Sequence, residues 1–205
     1  MPFDDVRPVR RCARVCALTA TAGLTLISGC GNTRTPAPDV AKPLVGGVAH
    51  KYTFPAAGVS FSVPAGWFLQ RGTAPLVAAI GSGDATIAIW RYPRTEPLPV
   101  TPASLAHAQR ELIKAAKARD SHLRVLHASS GTINGTRAVI LSGTERVAGR
   151  LRRVRSTHLY AYGAEVVLDT YAPPSDFHAV DHSVFSPLGR SLKLSRATKG
   201  TRRSD

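Results

Sequence analysis

Apolar and polar residues alternate along several short stretches of this chain, which is the period of a half-buried β-strand. Val59, Phe61 and Val63 alternate with Ser60 and Ser62, and a Pro-Ala-Gly turn follows. This stretch is predicted to be a strand whose valines and phenylalanine face the core.

Two further strands are predicted before a proline-rich loop. Residues 76–80 form an apolar run, and residues 85–92 alternate again. Ile87 and Ile89 are expected on one face of the second strand and Trp90 on the other. Three prolines within residues 93–99 then end the pattern.

A period of three to four residues follows, which is typical of an amphipathic helix. Thr101 is its predicted N-cap, Pro102 lies in its first turn, and it runs to about residue 119. The predicted core stripe consists of Leu105, Ala108, Leu112, Ala115 and Ala116. The predicted exposed face is basic and carries His107, Arg110, Lys114 and Lys117.

The next segment predicts a β-meander. Strands are expected at residues 123–129, 137–147, 151–161 and 165–171, and the turns between them are Asn134-Gly135, Ala148-Gly149 and Tyr162-Gly163.

Pro173 and Pro174 end the meander, and Ser175 is the predicted cap of a second helix. That helix is expected to bury Phe177, Val180 and Val184, to break or kink at Pro187, and to precede a short strand within residues 191–194. The predicted fold class is α+β: an antiparallel β-sheet with a long helix and a C-terminal helix packed on it.

The N-terminal 29 residues contain the features of a bacterial lipoprotein signal peptide in the expected order. Four arginines precede an apolar run at residues 15–27, which is too short to span a bilayer. Ser28 and Gly29 then stand before Cys30, as in a lipobox. We therefore predict cleavage before Cys30 and lipidation of its sulfur. A plain secretory signal is the alternative, and Arg10-Arg11 leaves twin-arginine export open.

The remaining chain divides by composition. Residues 30–48 are rich in Gly and Pro and are predicted to be a flexible linker. Residues 49–195 have the length of one domain, and residues 196–205 are predicted to be a disordered basic tail. The other cysteines, Cys12 and Cys16, lie in the signal, so an internal disulfide is not expected.

The chain has a net charge of +14, and it stays strongly positive without the signal. This charge favours anionic lipid or wall polymer as a partner. Nucleic acid is not expected as a partner of an exported protein whose aromatic residues are not interleaved with its arginines.

Several of these segments together resemble a known family. Residues 59–67, the helix from Ser104, residues 133–138, the hairpin strands and the ending at residues 185–194 are similar to the PsbP-like α/β/α sandwich. Within that family the chain resembles the actinobacterial lipoproteins related to LpqN, over most of residues 52–195. The resemblance implies a binding or accessory protein, and it supplies no shared catalytic residues.

No catalytic residue, metal or cofactor is predicted. The sequence contains neither Gly-x-Ser-x-Gly nor a phosphate-binding loop. His178 and His182 share a helix face near Asp181, but the spacing lacks the glutamate of a zinc hydrolase, so a solvated face is favoured. His122 and His127 make a weaker pair.

Arginines cluster in the third meander strand. Together with the basic helix face they form a candidate anionic-surface contact, and charges that protect an edge strand are the alternative. The candidate residues are Arg110, Lys114, Lys117, Arg150, Arg152, Arg153 and Arg155.

The sequence thus predicts a protein anchored to the cell membrane through lipid on Cys30 and facing the extracytoplasmic side. Its predicted role is a non-catalytic module that binds an envelope protein or an anionic component. A small-ligand or lipid carrier with a pocket between sheet and helix is the first alternative. A metal-dependent hydrolase at His178, Asp181 and His182 is the second.

Overall fold

Ten strands form two antiparallel sheets in the part of the chain that the computed structural model describes, residues 39–198. The strands are β1 (Ala49–Phe54), β2 (Val59–Pro64), β3 (Phe68–Arg71), β4 (Leu76–Ser82), β5 (Ala85–Pro93), β6 (Arg124–Ile133), β7 (Thr136–Val147), β8 (Arg150–Ala161), β9 (Ala164–Ala172) and β10 (Lys193–Leu194). The large sheet has the order β3-β4-β5-β9-β8-β7-β6, and the small sheet has the order β1-β2-β10.

The helices are α1 (Pro102–Arg119), α2 (Phe177–Val180) and α3 (Ser186–Ser191). A π-helical turn, Asp181–Phe185, joins α2 to α3, so the three pieces form one C-terminal helical segment. A 3₁₀ turn, Pro55–Ala57, connects β1 to β2. The predicted signal peptide, Cys30 and residues 199–205 of the predicted tail lie outside the described residues.

The predicted long helix and meander are confirmed. Thr101 caps α1 in a reciprocal capping box with Ser104. Asn134, Ala148 and Tyr162 all have a positive φ, and each precedes a glycine. These are the backbone angles of type I′ turns, whose twist matches that of the strands they join.

Some predicted details of the fold are wrong. Strands β1 and β3 were not expected. Ser175 does not cap the second helix, because that helix begins at Phe177 and follows Asp176, which makes no side-chain capping bond. Pro187 was expected to break or kink the helix, but it lies in the first turn of α3, directly after the π-helical turn, and the helical segment continues through it to Ser191.

The two faces of the large sheet are covered differently. One face packs on the small sheet and the C-terminal helical segment, and this layer holds the main core, with Phe61, Ile87, Ile89, Phe185 and Leu188 essentially inaccessible. The other face is covered in part by α1, where a smaller cluster contains Leu105, Val139, Leu141 and Tyr160.

Part of the predicted linker contacts the domain. The carbonyl of Ala41 accepts a 2.8 Å hydrogen bond from the amide of Asp84, and the amide of Leu44 donates to Ser82 Oγ at 3.0 Å. The Trp67 indole donates to the carbonyl of Leu44 at 3.1 Å. The chain is thus held against the β4–β5 turn from residue 41 onward. Within residues 39–198, none of the helices has the length and apolar character needed to cross a bilayer.

Candidate functional site

A cleft of about 940 Å³ lies between the C-terminal half of α1 and the large sheet, and we call it the α1 cleft. Trp90, Tyr92, Leu112, Val154 and Val167 contribute to its apolar walls. A cleft of several hundred Å³ with apolar walls and a few polar groups is typical of a small-ligand site.

The sequence of α1 explains why this space is open. Leu105, near its N-terminus, is buried against the sheet. Ala115 and Ala116, about one turn before its end, line the cleft, and their methyl side chains are too short to reach the strands. The predicted core stripe is therefore wrong at Ala115, which is exposed.

Polar side chains lie on the cleft face of the two central strands, β8 and β9. The register places Ser156 opposite Asp169 and Tyr160 opposite Glu165. His158 lies two residues from Ser156, so both side chains point to the same face of β8. Ser156, His158, Glu165 and Asp169 line the cleft beside apolar neighbours.

The polar groups form a continuous hydrogen-bonded network. Ser156 Oγ lies 3.0 Å from His158 Nε2, and His158 Nδ1 lies 2.7 Å from Glu165 Oε1. The other Glu165 oxygen, Oε2, accepts a 2.7 Å bond from Arg94 Nη1. The side chains of His158 and Glu165 are only 12% and 8% exposed, so solvent weakens these bonds little.

Burial and bonding act in opposite directions on the two central carboxylates. Burial alone would raise the pKa of Glu165, but the bonds from His158 and Arg94 outweigh it and hold that pKa below its ordinary value. Burial raises the pKa of Asp169, and a hydrogen bond from Ser156 opposes this rise only in part.

The predicted basic residues do not form one surface. Arg110, Lys114 and Lys117 are exposed on α1. Arg153 and Arg155 lie on the opposite face of the large sheet, where the C-terminal helical segment packs. The basic residues of α1 and these two arginines of β8 therefore lie on opposite sides of the large sheet.

The arginines of β8 have partners inside the domain. Arg155 forms an ion pair with Asp181 at 2.6 Å, and Arg152 forms one with Asp84 at 3.2 Å. The guanidinium of Arg153 lies 5.7 Å from the centre of the Phe177 ring. Arg150 also contacts Asp84, but its side chain is 67% exposed. Most of this cluster is thus engaged in internal contacts.

The histidine pair of the metal-site alternative is not completed by other ligands. His178 and His182 are exposed, and Asp181 between them is held by Arg155. Within residues 39–198, no three side chains of His, Cys, Asp or Glu are grouped closely enough to hold a metal ion.

Sequence reasoning missed Ser156, His158 and Glu165. Motif searches look for residues near one another in a known order, whereas this network depends on pairing between strands. A usable signal was present: Ser-x-His in an alternating strand puts both side chains on one face, and the two-residue turn at Tyr162-Gly163 brings Glu165 back beside them.

Comparison with solved structures identifies the fold. The cyanobacterial PsbP protein of Synechocystis, CyanoP, superposes with a TM-score of 0.57 at 12% identity, over 72% of this chain and 92% of CyanoP. The chain therefore has the PsbP-like α+β fold, as its sequence resemblance implied. LpqN of Mycobacterium tuberculosis, described as involved in cell envelope biogenesis, superposes with a TM-score of 0.48 at 18% identity, over 75% of this chain and 90% of LpqN. No protein-family model and no curated protein sequence matches the chain.

Proposed function

We propose that this protein is an extracytoplasmic accessory module of the cell envelope that binds a small amphipathic ligand in the α1 cleft. The observation that carries this proposal is the cleft itself, whose volume of about 940 Å³ lies in the range of small-ligand sites. The cleft favours the carrier hypothesis over recognition of a partner protein.

The chemistry of the cleft defines the class of ligand. Apolar side chains of α1 and the sheet form walls of the cleft that an acyl chain or ring system would cover. Such burial contributes about 25 cal/mol of binding free energy for each Å² of apolar surface. Its charged side chains include both signs, such as Arg119 and Glu145. A ligand with an apolar part and an uncharged or zwitterionic head fits this lining better than a strongly charged one.

Narrowing the cleft should weaken binding. Ala116→Trp places a large ring where Ala116 lines the cleft, and we expect the affinity for N-phenyl-1-naphthylamine, an uncharged fluorescent probe, to fall at least tenfold. Fluorescence titration measures this affinity. Ala118→Trp is the matched control, because Ala118 is exposed on α1 outside the cleft and carries the same loss of helix propensity. Equal affinities of the two variants, or no saturable binding by the wild type, would contradict the proposal.

We further propose that acyl chains on Cys30 anchor the domain to the membrane. The support is the order of arginines, apolar run, small residues and cysteine at the N-terminus. Each buried methylene contributes about 0.8 kcal/mol, so two chains hold a protein durably.

The anchor is tested in a bacterial host that processes lipoproteins. Mass spectrometry of the membrane-bound protein should find an N-terminal Cys30 with added acyl mass, and Cys30→Ala should release the domain from the membrane fraction. An unmodified, uncleaved N-terminus on the membrane-bound wild type would exclude the lipid anchor.

The basic face of α1 supports a second contact. Arg110, Lys114 and Lys117 are exposed on the side of the helix that points away from the sheet. In a tethered domain these cations would add an attraction to anionic lipid or polymer that falls as salt rises.

A further inference from the structure

We propose that Ser156 is a nucleophile that accepts acyl groups from carboxylic esters bound in the α1 cleft, with His158 as its base and Glu165 as the positioning residue. This inference rests on the proposed use of the cleft as a ligand site. It goes beyond a binding role, because it assigns covalent chemistry to the floor of the cleft.

The geometry is that of a nucleophile, a base and an orienting carboxylate in series. Ser156 Oγ lies 3.0 Å from His158 Nε2, and Glu165 Oε1 lies 2.7 Å from His158 Nδ1. Both distances are within the range required for proton transfer and orientation. Arg94 fixes the carboxylate at its other oxygen at 2.7 Å. The arrangement is recognised by these roles and not by sequence order.

The hydrogen bonds also have a consistent direction. Ionised Glu165 can only accept, so Nδ1 of His158 carries the proton of that bond. In the neutral imidazole Nε2 is then an acceptor, and the hydroxyl of Ser156 donates to it.

The chemical step is an ordinary acyl transfer. Oγ attacks the ester carbonyl while its proton passes to Nε2, and the resulting tetrahedral species expels the alcohol, which takes the proton from Nε2. An acyl–Ser156 ester remains in the cleft. Water, activated by the same imidazole, then cleaves this ester and releases the acid, so Ser156 and His158 return to their starting states.

The rate is expected to be low. Ser156 lies in β8 between β7 and β9, and backbone amides of a central strand are used in the sheet ladder. A pair of free amides is therefore not available at Ser156 to stabilise an oxyanion, and the loss of one such donor costs about 10²–10³ in rate. Slow turnover makes the covalent serine adduct the most sensitive readout.

The decisive experiment is labelling with an alkyl fluorophosphonate. Attack of Oγ on phosphorus breaks the P–F bond, releases fluoride and leaves a stable phosphonyl serine that peptide mass spectrometry locates. We expect the label on Ser156, its absence in Ser156→Ala, and a rate at least tenfold lower in His158→Gln. In Glu165→Gln the labelling rate should fall, because His158 loses the carboxylate that orients it, and Glu165→Asp should restore part of the rate.

Ser130→Ala is the matched control. Ser130 lies on β6, is exposed and does not line the α1 cleft. This control variant should be labelled at Ser156 at the wild-type rate. An unlabelled wild type, a label at another residue, or equal rates in His158→Gln and wild type would overturn the inference. Saturable binding of N-phenyl-1-naphthylamine separates the two proposals. If the wild type binds this probe but Ser156 is not labelled, only the nucleophile proposal is wrong. If neither binding nor labelling is observed, both the ligand-site and the nucleophile proposals are wrong.

Discussion

Phe61→Ala is expected to lower the free energy of unfolding by about 3–5 kcal/mol, the range for removing a buried phenylalanine. Phe61 is 1% exposed and stacks on Phe54 at 5.5 Å between ring centres. It lies on β2, so its ring joins the small sheet to the main core. A domain of this size is typically stable by 5–15 kcal/mol, so this one substitution removes a large share of the total.

Phe68→Ala provides the control for this prediction. Phe68 lies on β3 and is 72% exposed, so its ring contributes little burial. Urea unfolding followed by circular dichroism should show a clearly lower midpoint for Phe61→Ala and a change within about 0.5 kcal/mol for Phe68→Ala. Similar losses in both variants would mean that Phe61 does not hold the core as described.

Glu165→Gln is expected to lower the free energy of unfolding by about 3 kcal/mol at pH 7. The substitution leaves His158 and Arg94 without their negative partner, and breaking a buried pair costs about 3–5 kcal/mol. The lower end applies, because Arg94 is 38% exposed and keeps a 3.3 Å contact with Glu96.

The effect of Glu165→Gln should depend on pH in a defined direction. The native pKa of Glu165 lies below its ordinary value of about 4.3, so its carboxylate stabilises the fold above that pH. This contribution is lost as the pH falls through the lower native pKa. Asp169 and Glu145, whose pKa values are raised by burial, titrate in both proteins.

Urea unfolding at several pH values measures this difference. We expect the stability gap between wild type and Glu165→Gln to be largest near pH 7 and to start closing below about pH 4.3, the ordinary pKa of a glutamate. The gap should be lost as the pH falls through the lower native pKa of Glu165, below which the protonated side chain resembles glutamine. A gap that stays constant with pH would show that the loss comes from packing and not from charge.

Local patterns predicted the parts of this fold that depend on neighbours in sequence. The alternation around Phe61, the Thr101-Pro102 helix start and the Asn134-Gly135 turn each act over a few residues, and each is present in the structure. The order of these elements was enough to indicate an antiparallel sheet with helices packed on it.

The features that sequence did not reveal depend on distant segments. Strand β1 has an irregular pattern, and its identity as a strand depends on its antiparallel pairing with β2. Likewise, Glu165 is one acidic residue among many until the Tyr162-Gly163 turn brings it beside His158. The ion pair of Arg155 could not be predicted from its sequence neighbours either, because its partner Asp181 belongs to another element.

The three tight turns of the meander bear on how the domain folds. Strands β6 to β9 pair in sequence order, so their contacts have low contact order, and each hairpin can close in about 1–10 μs. By contrast, Lys193 pairs with Ser60 near the other end of the domain, and this contact requires closure of a long loop. We expect the meander to form first, as the folding nucleus, and β10 to pair with β2 last. The serine, histidine and glutamate of the cleft floor would then be assembled before the core on the other side of the sheet is closed.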